Sequence, residues 1–149
     1  MRHSESDTAE MNTDPLLSEL KEDEGWRESV YFDHLGYASI GWGFMIDARK
    51  GGKLPKPVAE FWIRYLVNEK LDALRKLWPP FENQPAEVKL ALANMAYQMG
   101  ADGVLEFRRM IAALEAGDRA TAADEAEDST WFTQTPKRAR RVIGLLRGA

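Results

Sequence analysis

The chain predicts an α+β fold, mostly helical, and three observations carry that prediction. Leu16, Leu17, Leu20 and Glu24 share one helical face early in the chain. Between Tyr31 and Phe44 the apolar pattern changes to a period of two. From Pro57 onward the pattern is helical again, punctuated by Pro79-Pro80, Pro85, Gly100, Asp118 and Thr135-Pro136.

Each element follows from local chemistry. Asp14-Pro15 reads as a cap followed by proline at the first helical position, and Gly25 stops that helix. Tyr37, Ser39, Gly41 and Gly43 alternate with Ala38, Ile40, Trp42 and Phe44, with His34-Leu35-Gly36 as the turn, so residues 31–44 read as a β-hairpin. Gly41 and Gly43 then share the face of Ser39 and leave room for a ligand near the backbone. Arg49-Lys50-Gly51-Gly52-Lys53 is a loop. A long helix runs from Pro57 to Trp78, a second opens at Pro85 and is capped by Gly100, and a third covers 103–116. Asp118 caps a short alanine-rich helix, and Thr135-Pro136 starts the last one. The domain plan is a flexible tail over 1–14 and one domain over 15–149. Within that domain a β-containing lobe covers about 28–56, and a helical lobe takes 57–149 plus the first helix.

Composition narrows the function. With 149 residues, 44% hydrophobic and 30% charged, the chain suits a soluble globular domain. No apolar run approaches the roughly 18 residues of a membrane span, and Met1 to Asp14 has no apolar core of a secretory signal. The absence of cysteine excludes disulfides and thiolate chemistry, and His3 and His34 alone make a metal site unexpected. No cofactor is expected. The net charge of −4 argues against nucleic acid as a partner. Glu115 to Asp128 carries six acids against one Arg, and Lys137 to Arg147 five bases and no acid, which suits a salt-bridged fold with solvated faces, or else a basic C-terminal face that meets an anionic polymer or membrane surface. The last helix, basic and amphipathic, is also a candidate for weak membrane contact.

The candidate chemistry lies in Glu24, Asp33 and Ser39. Eight residues separate the glutamate from the aspartate and five separate the aspartate from the serine. A proton donor, plus a carboxylate and a hydroxyl to hold water, is what glycoside hydrolysis requires. Glu24 continues the apolar stripe of the first helix next to a chain reversal, where desolvation favours a retained proton.

The run from Glu24-Gly25-Trp26-Arg27 through Tyr31-Phe32-Asp33 to Gly36-Tyr37-Ala38-Ser39-Ile40-Gly41-Trp42-Gly43 resembles the active-site signature of the phage lysozymes (endolysins) of glycoside hydrolase family 24. Asn94-Met95-Ala96-Tyr97-Gln98-Met99-Gly100 and the stretch from Trp131 to Val142 are similar to the same family, so the resemblance covers about 15–148. It implies a lysozyme-like fold of two lobes, with a long helix between them and a cleft. It also implies hydrolysis of the β-1,4 bond from N-acetylmuramic acid to N-acetylglucosamine in peptidoglycan, with inversion. Glu24 matches the proton donor, Asp33 the aspartate on the opposite face of the sugar, and Ser39 a position that is usually threonine. By the same resemblance Met45, Tyr97, Gln98 and Met110 line the cleft, Arg138 approaches Glu24 and Arg141 approaches Asp23. Core packing is the competing reading for Met45 and Met110, and the default for Trp42 and Trp131. Phe44 stands where several relatives have histidine.

Two other readings use the same residues. A lytic transglycosylase would cleave the same bond with one acid and no positioned water, which leaves Asp33 and Ser39 without a task. A non-catalytic glycan-binding virion component would need none of the three. The expected protein is a monomer that stays in the host cytoplasm until the inner membrane opens, then acts on peptidoglycan in the periplasm.

Overall fold

The computed structural model describes residues 12–46 and 53–148. Residues 1–11 of the tail expected over 1–14, and 49–52 of the loop expected over 49–53, lie outside the described residues, and Asp14 belongs to the first helix rather than the tail. Two compact units divide the chain, with the boundary after Val58.

The first unit opens with α1 (Asp14–Glu24), which places Pro15 in the first turn. Thr13, not Asp14, stands at the cap position, one residue from the expected start. Gly25 ends the helix with φ 69°, its N–H donating to Lys21 O at 3.2 Å. The sheet follows as β1 (Arg27–Phe32), β2 (Ala38–Gly41) and β3 (Phe44–Met45), antiparallel in the order β1-β2-β3. The hairpin expected over 31–44 is thus a three-stranded sheet that starts four residues earlier. Alternation continues through Gly41-Trp42-Gly43, but φ values of 68° and 69° at the two glycines turn the chain out of the ladder. Trp42 therefore sits in a turn. It is half-buried rather than core, tilted against Trp26 at 4.7 Å between ring centroids and edge-on to Phe44 at 6.3 Å.

So small a sheet buries little. Ala38, Ser39 and Gly41 are the only buried residues among those described in 12–58, and α1 buries none. The expected burial of the Leu16, Leu17, Leu20 and Glu24 face is not supplied within this unit.

The second unit holds the hydrophobic core. α2 (Lys56–Leu77), whose first turn contains the unit boundary, buries only Leu74, near its C-terminal end. Trp78 and the 3-10 turn Pro79–Asn83 continue the core through Phe81. α3 (Ala86–Leu105) adds Val88, Leu92 and Met95, and α4 (Arg108–Glu115) adds Met110 and Leu114. α5 (Arg119–Glu127) contributes alanines, the short α6 (Thr130–Gln134) contributes Trp131, and α7 (Pro136–Arg147) contributes Val142 and Leu146. Ala122, Ala123 and Ala126 have no long side chains, which lets α5 pack closely on both α4 and α7. Three details differ from the expected plan. Gly100, with φ 79° and ψ 161°, breaks the helix where the cap is expected, but helix resumes at once at Ala101, two residues before the expected Gly103. The helix expected over 103–116 is broken at Glu106–Phe107. α6 is an added element, capped by Ser129, whose Oγ accepts from Phe132 N at 3.2 Å.

The salt-bridged reading of the C-terminal charges holds, and the bridges join the two segments. Arg147 on α7 pairs with Asp124 at 2.7 Å and Glu127 at 3.0 Å on α5. Arg119 caps the end of α7: Nε donates to Leu146 O at 2.8 Å and Nη2 to Leu145 O at 2.7 Å, while Nη2 also meets Glu87 Oε2 at 2.8 Å. The last carbonyls of a helix lack internal partners, so this one side chain satisfies two of them. Arg119→Ala is expected to lower unfolding stability by about 1–3 kcal/mol, measured by urea denaturation, with activity kept on the remaining folded protein. The apolar face of α7 (Ala139, Val142, Ile143 and Leu146) is buried.

Candidate active site

All three candidate catalytic side chains belong to the first unit, and each is placed by a chain reversal or a strand. Glu24 is the last residue of α1, carried to the surface by the Gly25 stop. Its carboxyl rests against Gly43 in the β2–β3 turn. A Cβ added at Gly43 would overlap Glu24 Oε2 and lie 2.8 Å from Cδ. Lys21, one helical turn earlier, places Nζ 4.7 Å from the Trp42 ring centroid, so α1 is tied to the same turn by a cation–π contact. Leu17, Leu20, Lys21, Glu24, Trp42 and Phe44 enclose a largely apolar hollow of about 460 Å³.

Asp33 occupies the β1–β2 turn. Its Oδ1 accepts from Leu35 N and from Tyr37 N, both at 2.9 Å. Its backbone closes the turn, with Asp33 N donating to Tyr37 O and Gly36 N donating to Asp33 O, both at 2.9 Å. This is the short-side-chain turn chemistry that Asp supplies locally. The Tyr37 N–H, with further help from those of Leu35 and Gly36 and from nearby His34, holds the carboxyl below the usual carboxylate range against a weaker opposing effect of burial. Asp33 is therefore an anion at neutral pH.

Ser39 lies on the central strand β2, paired with Tyr31 on one side and Met45 on the other. At 4% exposure it is the one buried polar or charged side chain among the described residues. The expected open space at Gly41 and Gly43 is corrected by their surroundings. A Cβ at Gly41 would come within 2.8 Å of the Phe44 ring, and the space at Gly43 is taken by Glu24. Protein groups, not a ligand, use the missing side chains. Met45, 54% exposed on the edge strand beside Ser39, is available for contact.

The remaining candidates belong to the second unit. Tyr97 is exposed, and Gln98 Oε1 accepts from Trp131 Nε1 at 3.0 Å, which fixes the amide. Trp131 itself is core and edge-on to Phe107 at 6.1 Å. Met110 is 1% exposed, so its side chain is spent largely on packing. It also floors a hollow of about 330 Å³ walled by Glu106, Phe107, Arg108, Arg109 and Glu125. Sequence reading did not single out the two arginines, since adjacent charges at a helix start carry no periodic signal. Arg138 donates from Nε to Asn94 Oδ1 at 2.8 Å and from Nη2 to Asn94 O at 3.1 Å. Arg141 shares a hollow with Asn94 and Arg138. Among the described residues no three potential metal ligands cluster, and no helix is long and apolar enough to cross a membrane.

Comparison with known proteins places the chain in a wider group. The family model described as phage lysozyme matches residues 21–147. The chain is 32% identical to probable T4-type lysozyme 2 of Dictyostelium discoideum, over 87% of this chain and 92% of that protein. It is 30% identical to the pre-baseplate central spike protein Gp5 of Enterobacteria phage T4, over 85% of this chain and 26% of that protein. It is 33% identical to peptidoglycan hydrolase gp36 of Pseudomonas phage phiKMV, over 84% of this chain but only 14% of that protein.

Proposed function

This chain belongs to the phage lysozyme family, and from that premise we propose that it is an inverting muramidase whose Glu24, Asp33 and Ser39 open the β-1,4 bond between N-acetylmuramic acid and N-acetylglucosamine. The chain is a lysozyme, a glycoside hydrolase acting on peptidoglycan. The observation that best supports the finer reading is the unequal setting of the two acids. Asp33 is held as an anion by backbone N–H groups, whereas Glu24 lies at the end of α1 with its carboxyl on the bare backbone of Gly43.

In the proposed reaction, Glu24 gives its proton to the glycosidic oxygen as the bond from that oxygen to the anomeric carbon breaks. A water held by Asp33 and the Ser39 hydroxyl attacks the same carbon from the opposite face. The water's proton passes to Asp33, and solvent exchange resets both acids. Inversion requires the two carboxyls to stand roughly 6.5–9.5 Å apart, so that water fits between carboxylate and sugar. Met45, Tyr97, Gln98 and Met110 are proposed as glycan contacts. Arg138 and Arg141 are proposed as supports of the acidic end of α1. The cellular role proposed with this chemistry is lysis of a host bacterium by a monomer. The enzyme gathers in the cytoplasm and reaches the wall once the inner membrane opens.

Purified peptidoglycan tests the reading. Digestion should release muropeptides with reducing N-acetylmuramic acid ends, seen by mass spectrometry, and proton NMR of fresh product should show the α-anomer. The β-anomer would exclude inversion. Products lighter by one water would make the enzyme a lytic transglycosylase, and no products would leave a glycan-binding protein.

A further inference from the structure

We infer that Gly43 is a positioning residue for Glu24: the missing side chain at this one turn position sets where the acid's carboxyl rests. The inference builds on the proposed role of Glu24, and it begins with two independent constraints at one residue. Gly43 has φ +69°, in the left-handed region where L side chains are strained. Its absent Cβ is also the space that the Glu24 carboxyl fills, with Oε2 and Cδ as the nearest atoms. The turn cannot simply slide aside. Trp42 is packed on Trp26 and held from above by Lys21, and Phe44 fills the space that Gly41 leaves bare. In the first unit, Lys21 is the cation nearest this contact on α1, but it is engaged by the Trp42 ring. Arg27 on β1 lies over Tyr31 at 4.5 Å. Neither the β2–β3 turn nor Phe44 supplies a charged group. Among the described residues of this unit, the Gly43 backbone is what the carboxyl rests on, and no ion pair holds it.

The consequence separates activity from stability. The carboxyl is the far end of a flexible, exposed side chain, so an added methyl displaces it at little cost to folding. A displacement of about 1 Å at a reacting group is enough to cost on the order of 100-fold in rate. Gly117 provides the control, because its φ is +73° and an added Cβ there meets nothing within 4 Å. Gly43→Ala and Gly117→Ala both put a side chain at positive φ, and they differ in the overlap with Glu24.

Both variants should lose some Tm, because a side chain at positive φ costs stability. Gly43→Ala should lose about 100-fold in kcat with KM little changed, whereas Gly117→Ala keeps the wild-type kcat. In a Glu24→Asp background, which draws the carboxyl back by one methylene, adding Gly43→Ala should cost little more. A kcat for Gly43→Ala equal to that of Gly117→Ala, or losses that multiply in full with Glu24→Asp, would overturn the inference. The crystal structure of Gly43→Ala reads the geometry without activity. The Glu24 carboxyl should leave its wild-type position, and an unmoved carboxyl would sink the inference even if the variant is inactive. A wild-type protein that releases no muropeptides would instead remove the proposed function, while the crystal structure still decides the contact.

Discussion

Glu24→Gln should remain folded and lose at least about 10²–10⁴-fold in muropeptide release, the range that a positioned general acid contributes. The amide has nearly the shape of the carboxylic acid, so it can occupy the same space against Gly43. It has no proton to give the leaving oxygen. α1 buries none of its residues, so the change should leave Tm within a degree or two of wild type by differential scanning fluorimetry. The two readouts together matter. Lost release with a preserved melt assigns Glu24 to chemistry, whereas release within threefold of wild type would move the acid elsewhere and dissolve the assignment built on α1.

Replacing Asp33 has two effects that different substitutions separate. Asp33→Asn keeps an Oδ1 acceptor for the N–H groups of Leu35 and Tyr37, so the β1–β2 turn should survive. It removes the negative charge, and activity should fall by about 10²–10⁴-fold. Asp33→Ala removes both, and should lose more thermal stability than Asp33→Asn, which loses only the contribution of the charge. A turn role alone would leave Asp33→Asn active. The acid side of the stability profile gives a further check. The folded protein holds this carboxyl below its usual range, chiefly through the Tyr37 N–H. Its stabilising contribution is therefore complete above the ordinary carboxylate pKa and is lost as pH falls through the lowered folded value. The Tm difference between wild type and Asp33→Asn should shrink over that acidic window. A difference that stays constant from neutral pH down to about pH 2 would contradict the turn's preference for the anion.

The candidate site was more legible than the fold around it, and the reason is local. Glu24, Asp33 and Ser39 fall within sixteen residues (24–39). Their positions follow from a glycine stop, an Asp-centred turn and a strand, each encoded by near neighbours in the chain. The starts of α5 and α7 were readable for the same reason, since Asp118 accepts from Thr121 N at 3.0 Å and Pro136 opens the first turn of α7. The split of the sheet was not readable. Period-two alternation runs unbroken through Gly41-Trp42-Gly43, and nothing in that pattern encodes the sign of φ at a glycine.

By itself, then, the sequence determined the helical character after Pro57, the α+β class, the stop, turn and strand that carry Glu24, Asp33 and Ser39, and the separation of acidic from basic charge near the C-terminus. These depend on periodicity, on capping and turn chemistry within a few residues, and on net charge along the chain. Tertiary structure alone decided the rest. It put the Glu24 carboxyl on Gly43, Lys21 over Trp42, Trp131 Nε1 on Gln98, Arg138 on Asn94, and Met110 in the core. Each of these contacts joins residues from different elements, and side-chain partners across elements are chosen by packing in three dimensions, which no spacing along the chain records.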